Sequence, residues 1–165
     1  MPALRLPRLA RALHLSPGTV QPVTQKLGGR HFASSGLAAA VLESTHALVV
    51  TLDPDGHITG FNRACELLTG YEADEVIGTP IWDVLLPGEA IAPIRRFFAN
   101  LRNGGEMPEE FENAWLTRDG RRPVIAWNNS TLRDASGNVE LIISIGVDIS
   151  EKKAASERLD RAQRI

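Results

Sequence analysis

The sequence predicts an α+β domain, a single five-stranded antiparallel sheet with helices on one face. Three observations predict it. Residues 48–61 place Val50, Leu52, Ile58 and Phe61 around the turn Asp53-Pro54-Asp55-Gly56, which reads as two short strands joined tightly. Residues 62–102 then space their apolar side chains at helical intervals. Finally, Arg118-Asp119-Gly120 and Asp134-Ala135-Ser136-Gly137 interrupt β-rich runs, which gives two hairpins and three strands. The order along the chain is therefore ββ, helices, βββ, and a departing helix.

Taken in order, residues 1–36 form a basic extension and linker. Arg5, Arg8 and Arg11 alternate with Leu6, Leu9 and Leu13 at helical spacing, and Gly28-Gly29 and Ser34-Ser35-Gly36 supply the linker. Three readings of this arm stay open. It is a partner-dependent extension, a membrane or targeting segment, or a DNA-contacting arm, since 10–21 resembles the turn of a helix-turn-helix. Pro22, set early in the supposed recognition helix, weakens the last reading. Residues 37–44 (LAAAVLES) predict a short apolar helix that needs a partner to cover it.

The domain proper spans 37–150. After the first two strands, Asn62 is a natural N-cap, Gly70 a natural C′ residue, and Ala64, Leu67 and Leu68 the expected buried face of the helix between them. Trp82–Leu86 is a short apolar segment closed by Pro87-Gly88. Ile91, Ile94, Phe97, Phe98 and Leu101 mark a longer helix with one buried face, ended by Asn103-Gly104-Gly105. The strands expected next are 110–116, 122–132 and 139–149. Ser150 is the expected N-cap of a charged helix over 151–165, where Leu159, Ala162 and Ile165 suit a coiled-coil seam. That helix runs to the last residue without a cap, which suggests a longer polypeptide.

The totals exclude several classes. Cys65 is the sole cysteine, so there is neither an intrachain disulfide nor a cysteine cluster for metal, which fits a reducing, cytoplasmic setting. No apolar run approaches the roughly 20 residues of a membrane span. The net charge of −2 divides unevenly: residues 1–42 carry +5 and no acid, and the remainder −7. No nucleophile elbow, phosphate loop or metal-ligand spacing is present, so the chain is not expected to be an enzyme. Asp53 and Asp55 are accounted for by turn chemistry.

From about Leu42 to Ser150 the chain resembles the PAS domain, the sensory module of bacterial signalling proteins. The residues that carry the resemblance are D-P-D-G-x-I-x-x-F-N (53–62), A-x-x-L-T-G-Y (64–71), E-V-I-G (75–78), R-D-G (118–120), W-N-N-S-T-L-R-D (127–134) and G-V-D-I-S-E (146–151). The resemblance implies the PAS fold, a hollow between sheet and helices, and a signalling helix after the D-I-S motif. It also implies a role as a sensing and dimerising module. That module would pair through its N-terminal cap helix and C-terminal helix and pass its signal to a kinase or cyclase output domain, in a two-component or related system.

The same resemblance assigns candidate residues. Asn62, Trp82, Trp115, Ile125, Trp127 and Asn129 are the expected hollow residues. Trp127 either contacts a ligand or simply fills the core, and a buried Asn129 must be satisfied by protein, water or ligand. Asp148, Ile149 and Ser150 are the expected signal-transfer residues. Asp148 is either a switch, tied to Arg122, Arg133 or a backbone donor, or a helix cap. Light-sensing flavin chemistry of the LOV type is disfavoured, because Cys65 lies on the first helix and 81–86 has no cysteine. Haem is disfavoured, because the long helix has no histidine; His14, His31, His46 and His57 all lie elsewhere. Other flavin binding stays open. The ring-edge positions of flavin-binding relatives fall at Trp115, Ile125 and Asp148, and Asn113, Asn128 and Asn129 are nearby. The ligand itself is unknown.

Overall fold

The computed structural model describes residues 46–164. The basic extension, its helix-turn-helix-like turn and the helix expected at 37–44 lie outside the described residues. The elements run β1 (Leu48–Leu52), β2 (Ile58–Phe61), α1 (Arg63–Thr69), α2 (Ala73–Val76), α3 (Ile81–Val84), α4 (Gly88–Arg102), β3 (Glu110–Ala114), β4 (Val124–Arg133), β5 (Val139–Asp148) and α5 (Ser150–Gln163). The strands form one antiparallel sheet in the order β2-β1-β5-β4-β3, so the last strand closes the middle.

The front hairpin is held by its own side chains. Asp53 Oδ1 accepts from the N–H groups of Asp55 and His57, and the His57 ring approaches the same carboxylate. Gly56 sits at φ +86°, and a Cβ there would overlap the Trp82 ring, so glycine answers both a backbone and a packing demand.

α1 starts at Asn62 and ends at Gly70, φ +79°, as the residue types dictate. Its buried face differs from the expected one. Cys65 and Thr69 are buried, whereas Leu67 is 68% exposed. The cause is Asn62, whose side chain bonds to β1 and fixes the rotation of the helix, bringing Cys65 Sγ to the Val49 carbonyl. Glu66 is buried with it and satisfied by Ala73 N–H and Arg63.

β3 ends two residues early and β4 starts two residues late relative to expectation. Pro123 has no N–H to continue the ladder, so Trp115 N–H bonds to the Pro123 carbonyl and Leu116 N–H turns away to Leu85 O. The core fills the space between the sheet and the helical layer, around Phe61, Leu85, Phe98, Leu101, Trp115, Ile125 and Ile142. Along β4, Ile125, Trp127 and Asn129 face this side and are buried, while Asn128 and Ser130 face away and are exposed, as strict alternation requires.

Candidate functional site: an apolar hollow and a strand-to-helix knot

Between the inner sheet face and α4 lies a hollow of about 170 Å³. α4 presents Ile94, Phe97 and Phe98 to it, β1 contributes Val50 and Leu52, and Met107, Pro108 and Phe111 stand where the chain passes from α4 to β3. The far wall is aromatic. Trp115 and Trp127 lie 4.8 Å apart, ring centre to ring centre, and Phe61 stacks on the back of Trp115 at 6.2 Å. Trp127 lies over Gly146 of β5, its register partner, where any Cβ would collide with the indole.

The polar contribution is small and local. Asn113 Oδ1 accepts from Trp127 Nε1 at 2.8 Å. Ser144 Oγ donates to Asn129 Oδ1 at 2.7 Å, and Asn129 Nδ2 donates to Pro108 O at 3.0 Å. These groups come from three adjacent strands, because Asn129 and Ser144 are cross-strand partners and Asn113 lies one strand further out. Asn129 and Ser144 are both buried.

Of the six residues expected in the hollow, Trp115, Trp127 and Asn129 border it. The other three require correction. Asn62 is buried but spent on structure, accepting from Val49 N–H and Cys65 N–H and donating to Ala47 O. Trp82 does not border the hollow; it packs edge-on to Phe98, over Gly56 and under the Arg95 guanidinium. Ile125 is fully buried among core side chains without bordering the hollow. Asn113 and Ser144 were not in the expected set. Their signal was the strand period, which puts Asn113 two residues before the buried Trp115 and Ser144 on the face of Ile142 and Gly146. Of the positions that flavin-binding relatives use, Trp115 and Ile125 are core residues and Asp148 sits at the sheet's exposed end. Among the described residues no group of His, Cys, Asp and Glu is arranged to hold a metal.

The second feature is the exit of the sheet. Asp148 Oδ1 accepts from Ser150 N–H at 2.9 Å, and Ser150 Oγ in turn accepts from Val124 N–H at 2.9 Å. Ile149 N–H bonds to Val124 O. The first turn of α5 is thus tied to the start of β4. Of the partners considered for Asp148, the backbone donor is the one present; Arg122 pairs with Glu89 and Arg133 with Gly137 O. Ser150 opens the helix rather than capping it, and the carboxylate two residues earlier takes the orphan N–H. Beyond the knot, α5 has no buried residue, and Lys153 reaches back to Glu112 of β3 at 2.7 Å.

A five-stranded antiparallel sheet with one helical layer, an apolar hollow between them and a helix leaving from the last strand defines a small sensory module. A PAS-domain family model matches residues 45–151, and the chain belongs to that family. Cyclic di-GMP phosphodiesterase PdeR of Escherichia coli is 29% identical over 155 residues, 91% of this chain and 21% of that protein. Sensor histidine kinase TmoS of Ectopseudomonas mendocina is 28% identical over 134 residues, 79% of this chain and 13% of that one. The chain therefore spans about a fifth or less of the length of these two relatives. Among solved structures, the PAS domain of the Cronobacter turicensis RpfR quorum-sensing receptor, in complex with BDSF, is 28% identical. It aligns over 64% of this chain and 96% of that domain with a TM-score of 0.54. The same domain in complex with C12:0 aligns equally well. The chain is thus a PAS sensory domain related to domains of signalling proteins.

Proposed function

We propose that this PAS domain senses a small, mainly apolar ligand in the hollow and reports occupancy through α5. The observation that carries the reading is the hollow itself, an apolar slot with a few polar atoms confined to one wall. The RpfR domain, similar to this chain, has been seen with BDSF and with C12:0, which supports an aliphatic ligand here. The route to α5 is short. Asn129 and Ser144 lie on β4 and β5, the two strands whose other ends meet in the Val124–Asp148–Ser150 knot. A ligand that bears differently on two arrangements of β4 against β5 biases α5 between them.

The chain itself is proposed to be non-catalytic, and its output to be an enzyme of a signalling protein. The match to PdeR over 91% of the chain favours cyclic di-GMP turnover, and the match to TmoS a kinase. A cytoplasmic homodimer completes the proposal. A lone thiol such as Cys65 stays reduced in the cytoplasm, and Ile145 and Val147 on the outer sheet face and Leu159 on α5 are exposed apolar groups suited to a second copy.

The test is thermal unfolding of the purified chain with C12:0, its shorter homologues and the amide and methyl ester of each homologue, alongside sedimentation of the free and loaded forms. A saturable rise in melting temperature is expected, and no rise with any homologue would overturn the ligand reading. A chain that sediments as a monomer at every concentration would remove the dimer.

A further inference from the structure

The polar wall of the hollow has a definite unused capacity. An asparagine side chain offers two donor hydrogens and one acceptor oxygen, and a hydroxyl one donor and two acceptor sites. Asn113 uses its oxygen on Trp127, and among the described residues its Nδ2 meets no acceptor. Asn129 Nδ2 uses one hydrogen on Pro108 O and keeps the other. Ser144 Oγ donates its hydrogen to Asn129 and retains its lone pairs. The wall therefore offers neutral donors from two amides and a neutral acceptor from a hydroxyl, next to an indole surface.

Among the described residues no cation joins them, and no Lys, Arg or His lines the hollow. Of the nearby guanidiniums on α4, Arg95 lies over Trp82 and Arg96 is exposed outside the lining. The segment that passes the hollow, 106–111, carries Glu106, Glu109 and Glu110 around Met107, Pro108 and Phe111. A carboxylate entering here would lose its water without gaining a counter-charge, and would meet like charge on the way. A neutral carbonyl asks only for one or two donors, which Asn113 and Asn129 hold.

We propose that the hollow selects an uncharged ligand, an aliphatic chain ending in an amide, ester or other neutral carbonyl, over the corresponding carboxylate. The two amides Asn113 and Asn129 grip the carbonyl oxygen. This rests on the reading that the hollow binds an aliphatic ligand at all.

The experiment displaces the neutral fluorescent probe N-phenyl-1-naphthylamine from the intact chain with decanamide, methyl decanoate and decanoate. At about pH 8 the acid is fully ionised. The two neutral ligands are expected to compete at concentrations about tenfold below decanoate, the scale of one good hydrogen bond plus an avoided desolvation. Asn113→Leu removes the free donor without adding charge, so it is expected to erase most of that preference. Ser144→Ala, which leaves both amide donors in place, is expected to preserve it. Decanoate competing as well as or better than the neutral ligands would overturn the proposal while leaving a sensor of aliphatic ligands standing. So would a preference undiminished in Asn113→Leu. Failure of all three to displace a bound probe would remove the underlying reading as well.

Discussion

Asn62 shows how much one side chain decides. Its amide satisfies Val49 N–H, Cys65 N–H and Ala47 O, so it joins β1 to the first turn of α1 and fixes which face of that helix is buried. Asn62→Ala removes a cap and strands a buried strand N–H, a combined cost of about 2–3 kcal/mol. Urea unfolding of the variant measures it, with ligand affinity expected to change little because Asn62 lies away from the hollow. The residue type announced the cap but not the bonds to β1, since those partners are 13 and 15 residues away in sequence. Trp82 is the parallel case. A tryptophan in an apolar run signals burial, but its seat over Gly56, outside the hollow, is a tertiary contact that the run does not announce. Gly146→Val tests the opposite wall. The added side chain would strike Trp127, and a loss of at least about 2 kcal/mol is expected from overpacking, with the hollow collapsed or reshaped in the ligand-displacement assay.

At the scale of elements, the joints matter more than the elements. α2 is a single turn, and its Glu75 carboxylate is held to the hairpin loop by Arg118, whose guanidinium also lies 4.5 Å over the Tyr71 ring. The Arg118 hydrogen bond, with help from the Glu72 N–H, depresses the Glu75 pKa below its ordinary value. A depressed carboxylate stabilises the fold at neutral pH and loses that contribution as pH falls through the acid range. Glu75→Gln is therefore expected to melt lower than the native chain at about pH 7, with the gap closing toward about pH 3. Equal gaps at both ends would show that the pair is packing rather than charge. The exit knot gives a second test. Asp148→Ala frees Ser150 N–H and loosens the tie to Val124, a cap loss of about 1 kcal/mol. Faster amide hydrogen exchange in the first turn of α5, with β4 and β5 unchanged, is the expected result. The sequence announced this joint as a candidate switch and left its partner open among two arginines and a backbone donor. The bond from Ser150 N–H to Asp148 is itself local, but the tie of Ser150 Oγ to Val124 at the start of β4 spans 26 residues and no local pattern encodes it.

For the whole molecule, the architecture was legible because its signals are local. Turn residues at 53–56, 118–120 and 134–137 and the helical spacing of 91–101 each specify their own element, and antiparallel hairpins then leave few ways to assemble them. The hollow was less legible, because its volume is what six separate elements leave unfilled. The strand order has a mechanical consequence. β5 stands between β1 and β4, so without it the sheet falls into two hairpins, β1-β2 and β3-β4. A chain ended at residue 133 is expected to show no cooperative thermal transition by circular dichroism, because isolated hairpins are at best marginally stable. A cooperative melt in that truncation would mean that the two halves fold independently.

The paired indoles of Trp115 and Trp127 carry one more consequence. Two chromophores 4.8 Å apart and tilted by 44° share their electronic transitions, and one of them hydrogen-bonds through its ring nitrogen to Asn113 at the edge of the hollow. A guest that shifts Trp127 by even a fraction of an ångström changes both the coupling and the polarity at that nitrogen. The domain therefore contains its own unlabelled optical gauge, readable in the ultraviolet, against which every proposed occupant can be calibrated.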